Sequence, residues 1–184
     1  MKILSSLQND ELDLKTQFNF NQDLSELEKI KEFKETIENE IITYANDIQD
    51  VIDLILPFCH THESFVFFHK LKGDNYRYCC ELTVEKQNYI DKSLSEYTKA
   101  LETSEKYLTR NHPTSLALSL NYSIFLYEVM NSREKACQLA KLAFDLAVTD
   151  LDTLSNDLYR ESTYILQLLR DNLTFWNSDT KTEE

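Results

Sequence analysis

Lys70, Asp74 and Arg77 recur at i, i+4 and i+7, a spacing that puts all three on one face of a helix, and Tyr78 stands beside Arg77. These side chains suit a dianionic phosphate. Arginine offers a planar fork to two phosphate oxygens, lysine adds a point charge, tyrosine donates a hydroxyl, and a carboxylate in the same row can hold the arginine in its rotamer. Two more segments, HPTSLALSLNYSIFLYE at 112–128 and NDLYRESTYILQLLRDNLTFW at 156–176, each carry one asparagine on a helical face otherwise built of leucine and isoleucine. An Asn side chain has both a donor and an acceptor. From an apolar wall, Asn121 and Asn172 could therefore bond the main chain of an extended ligand without reading its sequence. Together these features point to a groove for a phosphorylated peptide.

Each feature also has a plainer reading. The charged row fits an ordinary solvated i,i+4 pattern. The faces Ala117, Leu120, Asn121, Ile124, Glu128 and Ile165, Leu168, Asn172, Trp176 fit a helical core whose asparagines lie at the surface or bond internally. Trp176 reads equally as a buried anchor and as a donor at a groove rim. Cys59, His60 and His62 follow Pro57 so closely that they form at most half a tetrahedral metal site, and the plainer reading is a loop between helices. Cys79 and Cys80 read as small core residues, because no nearby His or helix N-terminus would lower a thiol pKa. We therefore expect no metal, no cofactor and no catalysis.

The composition narrows the class further. A chain of 184 residues with one Gly and two Pro lacks the turn formers of a sheet protein, and it has no Gly-rich loop to cradle a nucleotide. A formal charge of -13 argues against nucleic acid, which needs a basic stripe to release its counterions. No apolar run approaches a membrane span, and the N-terminus is too short in apolar residues for a signal peptide. The four cysteines show no framework spacing, so reduced thiols in the cytoplasm are expected, and the triplets at Asn121 and Asn172 that match a glycosylation acceptor read as accidental.

Helical periodicity supplies the elements that must hold these side chains. Apolar residues recur from Leu24 to Leu56, where Pro57 stops the run. Further helices are predicted over roughly 63–82, 86–109, 114–130 and 132–149, and from Thr153 or Ser155 to Trp176. Asn111 and His112 precede Pro113 and break the chain there, and Ser132 is expected to cap the fifth helix. The prediction is an all-α antiparallel array of about six long helices, with a helix end and irregular linker over 1–29, a helical domain over 30–177 and a polar tail over 178–184.

Three stretches, FHKLKGDNYRY at 68–78, the run from His112 to Val148 and LDTLSNDLYRESTYILQLLRDNLTFWNSD at 151–179, resemble the corresponding stretches of 14-3-3 proteins. The similarity extends over roughly 30–179. It implies an all-helical, usually dimeric adaptor whose groove binds phosphoserine or phosphothreonine peptides. By this likeness Arg77, Tyr78 and Lys70 would hold the phosphate, and Asn121 and Asn172 the ligand main chain. Leu120, Ile124, Ile165 and Leu168 would form the apolar wall, with Glu128 and Trp176 reaching in from the rim. MKILSSLQ resembles only the end of the family's third helix, so that helix's phosphate-binding Lys and Arg have no counterpart in the sequence. The first two helices are unmatched as well, which counts against the family homodimer, although Phe33 and Glu40 fit dimer-contact positions. The alternative function is a scaffold that keeps the fold and has lost phosphate-dependent binding.

Overall fold

The computed structural model describes residues 22–83 and 86–178, with side chains from Glu26 onward. Six helices succeed one another: α1 (Gln22–Ile55), α2 (His62–Leu82), α3 (Lys86–Tyr107), α4 (Pro113–Glu128), α5 (Arg133–Val148) and α6 (Asn156–Ser178). Short 3-10 turns at Leu56–Phe58 and Leu151–Thr153 follow α1 and precede α6. The all-α architecture agrees with the sequence reading, and the boundaries fall within a few residues of those expected. The irregular stretch expected up to Leu24 gives way to helix at Gln22. The helix end expected at MKILSSL and the tail from 179 on lie outside the described residues.

Local chemistry explains the breaks. Pro57 sits in the first turn of the 3-10 segment that ends α1, where its missing N–H costs no ladder bond. Thr61 caps α2 by accepting from the Ser64 amide at 3.0 Å, and His112 caps α4 by accepting at Nδ1 from the Thr114 amide at 3.2 Å, with Pro113 at the first helical position. Ser132 occupies the N-cap position of α5, but its side chain makes no capping bond, so that part of the expectation fails. Asn131 takes the left-handed conformation, φ 47°, between α4 and α5; asparagine tolerates that region better than other non-glycine residues.

The chain divides into two compact units between Asp47 and Ile48. In the first, Phe33 and Glu40 both lie exposed on α1. In the second, the interhelical contacts fix the directions. His69 meets Glu96 and Gly73 meets Ser93, so α2 and α3 run antiparallel. Ser104 meets Ser115 and Tyr97 stacks on Tyr122, so α3 and α4 do too. Asp74 with Asn121, and Glu63 with Thr114, make α2 and α4 parallel.

Helix α4 is apolar nearly all round because it is packed on opposite sides. Leu118 and Phe125 join Val66, Tyr97 and Ala100 in one core cluster. Leu116, Leu120 and Leu126 join Leu166, Leu169 and Trp176 of α6 in another, where Ala136, Ala140 and Ala147 of α5 also contribute.

Candidate functional site

The side chains singled out on α2 are not a solvated charge row. Asp74 and Arg77 are each only 5% exposed, and they sit where α2 faces α3 and α4. Asp74 is the centre of the arrangement. Its carboxylate accepts from Lys70 Nζ at 2.7 Å, from the Tyr97 hydroxyl at 2.6 Å, and from Asn121 Nδ2, which lies 2.9 Å from both oxygens. A buried carboxylate is costly unless its lone pairs are met, and here three helices supply the donors. One of the plainer readings is therefore overturned and another survives: Asp74 and Arg77 are buried with Lys70 half-buried beside them, and Asn121 does bond internally.

Arg77 is held differently. Its guanidinium lies 4.5 Å from the centre of the Tyr78 ring, and Nη1 is 3.6 Å from Glu128 and 3.9 Å from Glu81. Both carboxylates stand beyond hydrogen-bond distance, and Nε is buried without a partner among the described residues. Burial works against the charge of Arg77, but Tyr97 and Tyr78 outweigh it and leave its pKa raised. Burial also pushes the Glu128 carboxyl up, opposed by Arg77 and reinforced by Glu81. The result is a fixed cation whose strongest donor geometry is not committed to any carboxylate nearby.

The apolar positions divide. Ile124, Ile165 and Leu168 are half-buried and pack against the cluster between α4 and α6, which leaves part of each side chain free to line a wall. Asn172 is half-buried on the same helix, one turn beyond Leu168, and its side chain makes no hydrogen bond among the described residues. Leu120 is 8% exposed and belongs to the core. Trp176 is 3% exposed and stacks on Tyr127 with ring centroids 4.8 Å apart, so the structure places it as a buried anchor and not at a rim. Glu128 and Tyr78 are the exposed members of the set.

A family model described as 14-3-3 protein matches residues 1–177. The chain belongs to the 14-3-3 family. It is 49% identical over 161 residues to 14-3-3 protein 3 of Entamoeba histolytica, an overlap covering 86% of this chain and 67% of that protein. It is 48% identical over 156 residues to 14-3-3 protein 9 of Solanum lycopersicum, covering 83% and 60%, and 45% identical over 163 residues to 14-3-3 protein eta of Bos taurus, covering 86% and 66%. The chain thus spans about two thirds or less of the length of these relatives.

Within this 14-3-3 chain, two residues the sequence reading passed over help to build the site. Tyr97 of α3 is fully buried and reaches Asp74 through its hydroxyl. Gly73 makes room for it, since a Cβ there would stand 2.9 Å from the Tyr97 ring. The available signal was a glycine in mid-helix, the single one in the chain, where glycine costs stability unless a neighbour needs the space.

The cysteine and histidine cluster is dispersed. His62 stacks on Tyr107 with centroids 3.7 Å apart, while His60 is exposed in the loop. Among the described residues no group of three or more His, Cys, Asp or Glu could hold a metal ion. Burial pushes the Cys79 thiol up and that of Cys80 up to about 11, which keeps both protonated and poorly nucleophilic at neutral pH. No described helix is long and apolar enough to cross a membrane.

Proposed function

We propose that this chain is a cytoplasmic adaptor that binds phosphoserine or phosphothreonine peptides of client proteins in the groove bordered by α2, α4 and α6, without catalysis. One observation carries the reading: Lys70 and Asn121 meet on Asp74 from two helices, while Arg77, on the same helix as Asp74, keeps donors uncommitted to its neighbouring carboxylates. A phosphate can approach closer than Glu128 or Glu81 does and accept the fork that these leave open. Lys70 adds charge, the exposed Tyr78 ring and hydroxyl border the same spot, and Asn172 offers an unspent amide to the ligand backbone. Ile124, Ile165 and Leu168 give the peptide side chains an apolar wall.

The test is a fluorescence-anisotropy titration of one labelled peptide in phosphorylated and unphosphorylated form. The expected result is at least tenfold tighter binding of the phosphorylated form, weakening as salt rises because the added contact is ionic. Equal affinity for both forms would leave the helical scaffold without phosphate-dependent binding as the better account.

A further inference from the structure

Tyr97 comes from α3, a helix to which neither sequence nor resemblance assigned any part in the groove, yet its hydroxyl lies at the centre of the polar cluster. The oxygen is 2.6 Å from Asp74 Oδ1, and the side chain is near enough to Arg77 to favour its charged form. The ring that carries it cannot drift. Tyr122 stacks on it at 5.1 Å, Phe125 packs at 5.5 Å, and Gly73 lies beneath it with no side chain to hold it off. A phenylalanine would fill the same space as well, so ring packing gives no reason for the hydroxyl. The hydroxyl has another consequence. Asp74 accepts from Lys70 and Asn121 as well, so the hydroxyl is one of three donors that hold the carboxylate in place on the same helix as Arg77.

We propose that Tyr97 is a positioning residue for phosphate recognition: its hydroxyl helps to satisfy Asp74 together with Lys70 and Asn121, and so stops the carboxylate from drawing Arg77 into a closed ion pair. This rests on the phosphopeptide reading above. Arg77 would touch the ligand, and Tyr97 would act only through Arg77 and Asp74. The hydroxyl meets Asp74 beside the cations, and Asn172 has no bond to that cluster. Loss of the hydroxyl should therefore reach phosphate preference before general affinity.

The experiment titrates a labelled phosphoserine peptide and its unphosphorylated twin against wild type, Tyr97→Phe, Gly73→Ala and Arg77→Ala, with thermal midpoints recorded for each. Tyr97→Phe should lower the ratio of the two affinities by about 3- to 10-fold and leave binding of the unphosphorylated peptide within about twofold. Gly73→Ala keeps the hydroxyl but pushes on the ring, and should lower the same ratio; it serves as the test if Tyr97→Phe folds poorly. A general packing role would weaken both peptides together, and that outcome overturns the proposal. So does an unchanged ratio in Tyr97→Phe while Arg77→Ala abolishes it, in which case the phosphopeptide reading stands alone. A wild type without phosphate preference would remove that reading, and this inference with it.

Discussion

Two buried carboxylates at the contact of α2 and α3 are built alike and differ in what they leave free. Asp74 on α2 is 5% exposed and Glu96 on α3 is 8% exposed, and each collects donors from a neighbouring helix. Glu96 accepts from His69 at 2.5 Å and from Lys99 at 2.8 Å. His69 is itself buried beside Phe65, and the Lys99 ammonium sits half-exposed on the outside of α3. At Asp74 the donors keep capacity after bonding: Lys70 has further protons, Asn121 has its carbonyl, and the Nε of Arg77, on the same helix, is buried without a partner among the described residues. The contrast separates a fastener from a positioner. A buried carboxylate whose donors are a buried histidine and an outward lysine holds helices together, and one whose donors stand beside a buried arginine not committed to a carboxylate can help to present that cation to a ligand.

The largest effect expected of this contrast is on binding. Losing a charge-assisted contact costs about 1.5–3 kcal/mol, so Arg77→Ala should weaken the phosphorylated peptide by roughly one to two decades and the unphosphorylated one far less. Paired anisotropy titrations check it. An unchanged phosphate preference in Arg77→Ala would mean that the cation beside Asp74 is structural too, and the contrast would collapse.

Glu96 should give the opposite signature. Glu96→Gln is expected to lower stability by about 1–2 kcal/mol in urea unfolding, because His69 and Lys99 lose a charged acceptor, while phosphate preference stays as in wild type. The pH dependence follows from the direction of its shift. Burial alone would raise the carboxyl, but the bonds from His69 and Lys99 outweigh it and hold the pKa down at about 2. A depressed carboxylate stabilises the fold fully above its ordinary value near 4.5, and the stabilisation fades as pH falls from there toward about 2. The stability gap between wild type and Glu96→Gln should accordingly be widest near neutral pH and close across that acid window. A gap that widens on acidification would contradict the assignment.

Both carboxylates show where sequence reading reaches and where it stops. The i, i+4, i+7 row from Lys70 to Arg77 needs only helical geometry to be seen, and the helix limits near Pro57 and Pro113 follow from the backbone chemistry of proline. Tyr97 stands 23 residues from Asp74, and no local pattern announces that contact; only the lone mid-helix Gly73 marks that something must approach. Trp176 and Leu120 were ambiguous for a related reason. Amphipathic spacing identifies a face, but α4 is packed on opposite sides, so a residue at the margin of that face turns into core or wall according to which neighbour it meets. His69 and Glu96 lie 27 positions apart and were equally invisible.

The smallest expected effect sharpens the contrast within the asparagine pair. Asn172 spends no side-chain hydrogen bond on the described residues, whereas the Asn121 amide is bonded to both oxygens of Asp74. Asn172→Ala should therefore remove only bonds to the ligand main chain. That predicts a loss of about 0.5–1.5 kcal/mol, equal for phosphorylated and unphosphorylated peptides and insensitive to salt, with an unchanged thermal midpoint. Asn121→Ala should show the same common loss, accompanied by a further fall in the phosphorylated-to-unphosphorylated ratio, because Asp74 gives up a donor and its hold on Lys70 and Tyr97 readjusts. Titrations at low and high salt, with both peptides against both variants, separate the two components. Identical behaviour of the two variants would show that Asp74 is indifferent to its third donor, and that its part in the groove is no different from that of Glu96.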